Sequence, residues 1–319
     1  MLAVAETDTS VDVNDLVFAY PGRPPVLQGL NMQLAPGARC LLVGANGAGK
    51  STILRILGGR HLPKPDEAVR VLGRSTFHDT RLNFERSFLD TDWGMRTVAF
   101  AGYGCPLQAD IAVHKMMEQL QSQYPERRED LLEVLGIDLN WKMHQVSDGQ
   151  RRRVQIYLGL LRPFKILLLD EVTVSLDVIV RMDLLAWLKK ESETRGATII
   201  YATHIFDGLD DWPTHLHYLK WGGVTGWQGK LEELDMYNKF KAEGVYSPLL
   251  RVAEKWLRAE LSLHKQRKEA AMLEGADEKD FAEKADGEGA RAVRDPTQAA
   301  FNSGGGFVAG RMSHFDFVG

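Results

Sequence analysis

GANGAGKST, residues 44–52, decides the reading of this chain. It carries three glycines and two alanines and closes on a lysine and two hydroxyls. The stretch fits G-x-x-x-x-G-K-[ST] through Gly44, Gly49, Lys50 and Ser51, with Ala45, Asn46, Gly47 and Ala48 between and Thr52 behind. An apolar run, CLLV (40–43), precedes it, and Ile53, Leu54 and Leu57 follow at helical intervals up to Gly58 and Gly59. Strand, glycine loop and helix start, in that order, make a phosphate cradle. Glycines let backbone N–H groups close on an anion, and the helix N-terminus adds partial positive charge. Lys50 then suits the β- and γ-phosphates and Ser51 a Mg²⁺ ion. A plain glycine-rich turn is the competing reading, and the flanking strand and helix weigh against it.

The composition sets the bounds around this loop. The 319 residues are 44% hydrophobic and 26% charged, enough to bury a core in one large domain or two ordinary ones. A net charge of −4 gives no pull toward nucleic acid or membrane, and no nucleic-acid patch stands out. Cys40 and Cys105 are too few for a disulfide framework and fit a reducing compartment. The opening residues MLAVAETDTSVDVND carry no basic n-region, so no signal peptide is expected. The most apolar candidate span, ILLLDEVTVSLDVIV, is broken by Asp170, Glu171 and Asp177, so no membrane insertion is expected.

Along the chain, LVFAY (16–20) and LNMQLAPGARCLLVG (30–44) read as short strands broken by Pro and Gly turns. Helices are expected in DIAVHKMMEQLQSQ (110–123), RREDLLEVLGI (127–137), RRRVQIYLGLL (151–161) and 178–194. KILLLD (165–170) and ATIIYAT (197–203) have the continuous apolar character of strands buried on both faces. Strands alternating with helices predict a mainly parallel α/β sheet. Residues 61–110 carry no clear period. From 244 to 319 the composition changes to an amphipathic, then charged, then glycine- and alanine-rich extension, expected to be helical first and partly disordered after.

ILLLDE puts Asp170 and Glu171 at the carboxyl end of a core strand, where α/β sheets hold their ligands. Asp170 suits a Mg²⁺ contact and Glu171 the polarising of an attacking water. Without the phosphate loop they would read as a solvated strand end. His204 ends the next core strand in the same way, where a lone histidine is more often structural. In VSDGQRRRV (146–154), Ser147 is a good N-cap and Gln150 completes a capping box. A free helix N-terminus there, with Ser147 and Gly149, is equally a second anion site.

The order of phosphate loop, VSDGQRRR, ILLLDE, VSLD and THIF resembles the nucleotide-binding domain of ABC ATPases, over roughly residues 11–240. The resemblance implies an α/β P-loop NTPase of ABC type. Its mainly parallel core sheet carries an antiparallel β subdomain and a helical subdomain bearing the signature motif, together spanning 11–243. It makes Ser147, Asp148, Gly149 and Gln150 the signature, Ser175, Leu176 and Asp177 the D-loop, His204 the switch histidine and Tyr20 the aromatic that stacks on adenine. Asp148 stands where glycine is usual, and Val172 replaces the usual proline. The glutamine loop, a further Mg²⁺ contact, falls on Asp92 by spacing and on Gln108 by residue type. The resemblance also implies Mg-ATP hydrolysis, with two cassettes paired head to tail so that each signature completes the other's site. The partner is a second copy or another cassette.

Within that family the interval from Lys50 to Ser147 leaves no room for a long coiled-coil arm, and one cassette is present instead of two. SDGQRRRV, FLDTDW, PLQAD and the tail GGGFVAGR resemble the soluble, non-transporter cassettes, which include a yeast ATPase associated with the CCR-NOT complex and subfamily-I ABC proteins of plants. This implies a cytoplasmic or nuclear regulatory role with soluble protein partners. The alternative is the ATP-binding subunit of a transporter whose membrane subunits are separate chains.

Overall fold

The computed structural model describes residues 9–90, 98–100, 103–105 and 110–273. The strands are β1 (Val11–Ala19), β2 (Pro25–Leu34), β3 (Arg39–Gly44), β4 (Val69–Val71), β5 (Arg74–Ser75), β6 (Arg86–Leu89), β7 (Val98–Phe100), β8 (Tyr103–Cys105), β9 (Ile166–Asp170), β10 (Thr198–Ala202), β11 (His215–Lys220) and β12 (Val224–Lys230). The helices are α1 (Lys50–Leu57), α2 (Glu118–Gln123), α3 (Pro125–Leu135), α4 (Asp148–Leu160), α5 (Val178–Arg195), α6 (Asp235–Ala242) and α7 (Pro248–Leu273).

The core sheet has the order β12-β11-β3-β10-β9-β6, parallel throughout except for the edge strand β12. Alternation along its central strands divides the interior in two, as successive side chains must point to opposite faces. Leu41, Val43, Leu167, Leu169, Ile199 and Tyr201 face the layer built by α3, α4, α5 and α7. Cys40, Leu42, Leu168 and Ile200 face α1 and a second, antiparallel sheet of order β2-β1-β4-β5. Burial pushes the Cys40 thiol up to about 12. The expected combination of a parallel core, an antiparallel subdomain and a helical layer is therefore present.

Arg127 holds that helical layer together. It donates from Nε to the Leu160 carbonyl at 2.7 Å and from Nη1 to Glu191 at 2.6 Å, with its guanidinium against the rings of Trp187 and Phe164. One buried cation thus ties α3 to the ends of α4 and α5.

Several expectations need correction. The strand expected at 16–20 begins at Val11; the 30–44 run does hold strands broken at its Pro-Gly turn, the end of β2 and then β3, parted at Ala35–Ala38 and paired with different sheets. The single helix expected over 110–123 is a 3₁₀ turn at Val113–Lys115 and then α2. The Gln121 amide explains the break: it donates to the carbonyls of Val113 (2.9 Å) and Met116 (2.6 Å). The Val113 carbonyl also accepts from the Met116 N–H at 3.0 Å, a 3₁₀ bond in place of the α-helical one, and Met117 turns left-handed at φ 53°. Residues 61–90 contain three short strands where no period was legible. At the tail, Leu249, Val252 and Ala253 of α7 enter the same apolar core as α5. The Trp256 ring stacks on Tyr218 of β11 at 4.5 Å. The charged and glycine-rich end, 274–319, lies outside the described residues.

His217 sits inside β11, its Nε2 3.3 Å from the Thr225 hydroxyl, and burial lowers its pKa to about 4. The unfolded chain takes up this proton near pH 6.5 and the folded chain only near pH 4. Its effect is absent above pH 6.5 and destabilises the fold by up to about 3 kcal/mol as the pH falls to 4. Urea midpoints at pH 7 and pH 5 should therefore lie closer together in His217→Gln than in the wild type. Equal spacing would remove His217 as a source of acid lability.

Candidate active site

Parallel pairing brings the carboxyl ends of β6, β9, β10, β3 and β11 to one edge of the sheet, and the sequence-predicted groups gather there. Gly44 ends β3 opposite Leu219 of β11, so close that a Cβ would lie 2.5 Å from the Leu219 carbonyl oxygen. Gly49, at φ 95°, would put a Cβ 2.6 Å from Leu27 Cδ2. Both ends of the loop are therefore restricted to glycine by their surroundings. Asn46 at the tip is exposed, Ala45 and Gly47 are half-buried, and Ala48 and Thr52 are buried. Lys50 bends back across the loop and donates to the carbonyls of Gly44 (2.8 Å) and Ala45 (2.9 Å). Burial lowers its pKa, and the nearby carboxylates of Glu171, Asp170 and Glu260 oppose that shift.

Asp170 is buried at the end of β9. Burial raises its pKa, the Ser51 hydroxyl donates to it and pulls the other way, and Glu171 adds like-charge repulsion. Glu171 follows with φ 53°, a left-handed conformation that costs a bulky residue about 1–3 kcal/mol. Its N–H still donates to the Ala202 carbonyl at 2.9 Å, so the ladder between β9 and β10 holds the strained residue at the sheet edge. His204 Nδ1 lies 3.4 Å from Glu171 Oε1. Two acids and a histidine expected from separate motifs thus converge beside the loop.

Asp90, immediately after β6, escaped the sequence reading. It is 2% exposed, accepts from Arg60 Nη1 at 2.5 Å through Oδ2, and leaves Oδ1 without a hydrogen-bond partner. Its charge is one of those that raise the pKa of Asp170. The signal was available: RSFL followed by Asp90 repeats on a smaller scale the pattern of ILLL followed by Asp170. Asp92 and Gln108, the two candidates for the glutamine loop, lie outside the described residues. The donors near the loop are hard oxygens, and among the described residues no group of three or more His, Cys, Asp or Glu is placed to hold a metal ion by itself. One hydroxyl and one carboxylate beside a phosphate loop suit Mg²⁺, which is ordinarily held by few protein ligands together with substrate phosphates and water.

Tyr20 leaves β1 toward α1: its hydroxyl lies 3.2 Å from Thr52 Oγ1, and its ring meets Phe18 and His61 edge-on. The capping box is formed. Ser147 Oγ accepts from the Gln150 N–H at 3.2 Å, and Gln150 Oε1 accepts from the Ser147 N–H at 2.9 Å. Asp148 is exposed and pairs with Arg151. A Cβ on Gly149 would lie 3.3 Å from the Ser175 carbonyl oxygen, and Arg153 of α4 pairs with Asp177 at 2.5 Å. Asp177 also caps α5 by accepting from the Val180 N–H, while Leu176 packs against the core. The segments expected as signature and D-loop therefore form one block. Among the described residues, no hydrogen bond or ion pair joins 147–150 to 44–52.

These features define a nucleotide-binding cassette, and comparison with known proteins places it. The ABC transporter family profile matches residues 27–174. ABC transporter I family member 20 of Arabidopsis thaliana is 46% identical, covering 98% of this chain and 94% of the relative. CCR4-associated factor 16 of Saccharomyces cerevisiae is 40% identical, covering 68% of this chain and 77% of the relative. A dimeric bacterial ABC transporter cassette shares the fold with a TM-score of 0.57 at 22% identity, covering 70% of this chain and all of that one. The chain belongs to the ABC family and is an ATPase of that type.

Lys50→Ala should abolish tight Mg-ATP binding, because the loop loses its only lysine ammonium in a site largely screened from water. Titration calorimetry measures this directly. Wild-type affinity in the variant would remove the phosphate-loop assignment.

Proposed function

We propose that this chain binds and hydrolyses Mg-ATP as a head-to-tail homodimer and uses the cycle as a switch in gene regulation instead of transport. The observation that carries the ATP chemistry is the convergence of Lys50, Ser51, Asp170, Glu171 and His204 at one edge of the sheet. In this reading the backbone N–H groups of 45–51 and the Lys50 ammonium hold the phosphates, while the Tyr20 ring serves the adenine. Glu171 orients the attacking water, and His204 steadies Glu171 and senses the γ-phosphate. Ser51 and Asp170 would hold Mg²⁺, which neutralises phosphate charge when bound.

The division within one chain supports pairing. Ser147, Gly149 and the α4 N-terminus stand apart from the chain's own phosphate loop and are free to serve a partner's. Beside them the first turn of α5 exposes Val178 and Ile179, both 74% accessible, together with Val174 and Met182. Such a patch fits burial against a second copy. The name of the yeast relative supports a gene-expression setting, in the cytoplasm or nucleus, with soluble regulatory partners of the CCR-NOT kind. Among the described residues no helix is long and apolar enough to cross a membrane.

Glu171→Gln should bind ATP normally, hydrolyse it at least a hundredfold more slowly and accumulate as an ATP-bound dimer. Light scattering at saturating Mg-ATP should report twice the monomer mass; a monomer there would count against pairing. Affinity capture of the same trapped variant should recover soluble gene-regulatory subunits. Stoichiometric recovery of integral membrane proteins would favour the transporter-subunit reading.

A further inference from the structure

We propose that Glu260, on the C-terminal helix, is a positioning residue for the phosphate loop, acting through the hairpin between β11 and β12. The proposal rests on the phosphate-loop reading above and extends it to a helix outside the cassette motifs.

α7 starts beside Asp210, whose Oδ1 accepts from the Leu249 N–H at 2.8 Å, and runs along β11 to the nucleotide edge of the sheet. There Glu260 accepts from the Trp221 N–H with one carboxylate oxygen and from the Tyr218 hydroxyl, at 3.0 Å, with the other. One turn further, His264 stacks on the Trp221 ring at 4.1 Å and an interplanar angle of 11°. Trp221 is the first residue after β11, so these contacts pin the turn of the hairpin.

The hairpin in turn walls both ends of the phosphate loop. On one side, the Leu219 carbonyl leaves Gly44 no room for a side chain. On the other, Gly223 lies so close to the backbone of Val26 and Leu27 that any Cβ would collide. The Gln28 N–H donates to the Gly223 carbonyl at 3.2 Å and its side-chain amide to Gly222 at 3.0 Å. Leu27 then closes on Gly49. Glu260 is thus two packed contacts from Gly44 and three from Gly49, and its charge is felt at Lys50. Cores packed this tightly transmit displacement instead of absorbing it. A helix that sets loop geometry must also be tightened by the ligand the loop binds, by the same factor.

Glu260→Asp keeps the charge and shortens the reach, so one of its two donors goes unmet. It should raise the KM for ATP and the Kd for Mg-ATP about tenfold while kcat stays within twofold; Glu260→Ala should do the same or more. Leu263→Ala, on the exposed side of α7, should leave both constants unchanged. In the wild type, Mg-ATP should slow hydrogen exchange at the amides of 256–264, and Glu260→Ala should lose that response. A purely structural Glu260 would lower the melting temperature without a KM shift and would leave the wild-type exchange indifferent to nucleotide; either result overturns the proposal. If the wild type binds Mg-ATP and both Glu260 variants bind it equally well, the positioning role falls and the phosphate-loop reading stands. A wild type that binds no Mg-ATP removes both.

Discussion

Everything chemical in this molecule depends on the register of β3 between β10 and β11. Gly44 pairs with Leu219, Leu42 with Ala202, and Ala202 with Asp170. Those pairings bring the phosphate loop, the Asp170–Glu171 pair and the turn leading to His204 to one level, though they are far apart along the chain. A slip of one residue in any of the three strands would reverse the faces of its buried side chains. Both apolar layers need this register, so the active edge inherits its precision from packing on either side of the sheet.

The same edge concentrates unfavourable terms. Lys50 and Asp170 are both buried and both have pKa values shifted against their charged forms. Glu171 carries backbone strain. Asp90 keeps an unpartnered carboxylate oxygen. A polar cluster of this kind costs stability by itself, and a ligand that brings opposite charges and fresh hydrogen-bond partners offsets the cost. The surrounding core, with the Arg127 and capping-box contacts, offsets that cost.

Legibility in the sequence followed the density of local signal. β9 and β10 were readable because strands buried on both faces become unbroken apolar runs, and α4 because Ser147 and Gln150 form a cap within four residues. The phosphate loop needs glycines at both ends for reasons a motif carries, even though the atoms that enforce it belong to Leu27 and Leu219. β11 and β12 went unread: HLHYLK hides a buried histidine among its apolar residues, and VTGWQGK is an edge strand without a buried face. Asp90 was missed because a single acid after a four-residue strand gives no period. The break before α2 was invisible because it depends on one glutamine folding back on two carbonyls. The placing of α7 over the sheet rests on aromatic stacking between segments distant in sequence, which no local pattern records.

The Arg127 clasp has a mechanical consequence. Its guanidinium satisfies the last carbonyl of α4, neutralises Glu191 on α5 and is sandwiched by two rings, so separating these helices would strand a buried charge at about 3–5 kcal/mol. Thermal motion rarely supplies that much. α3, α4 and α5 are accordingly clamped into one unit, with the Ser147 cap at one end of α4 and the Arg127 clasp at the other.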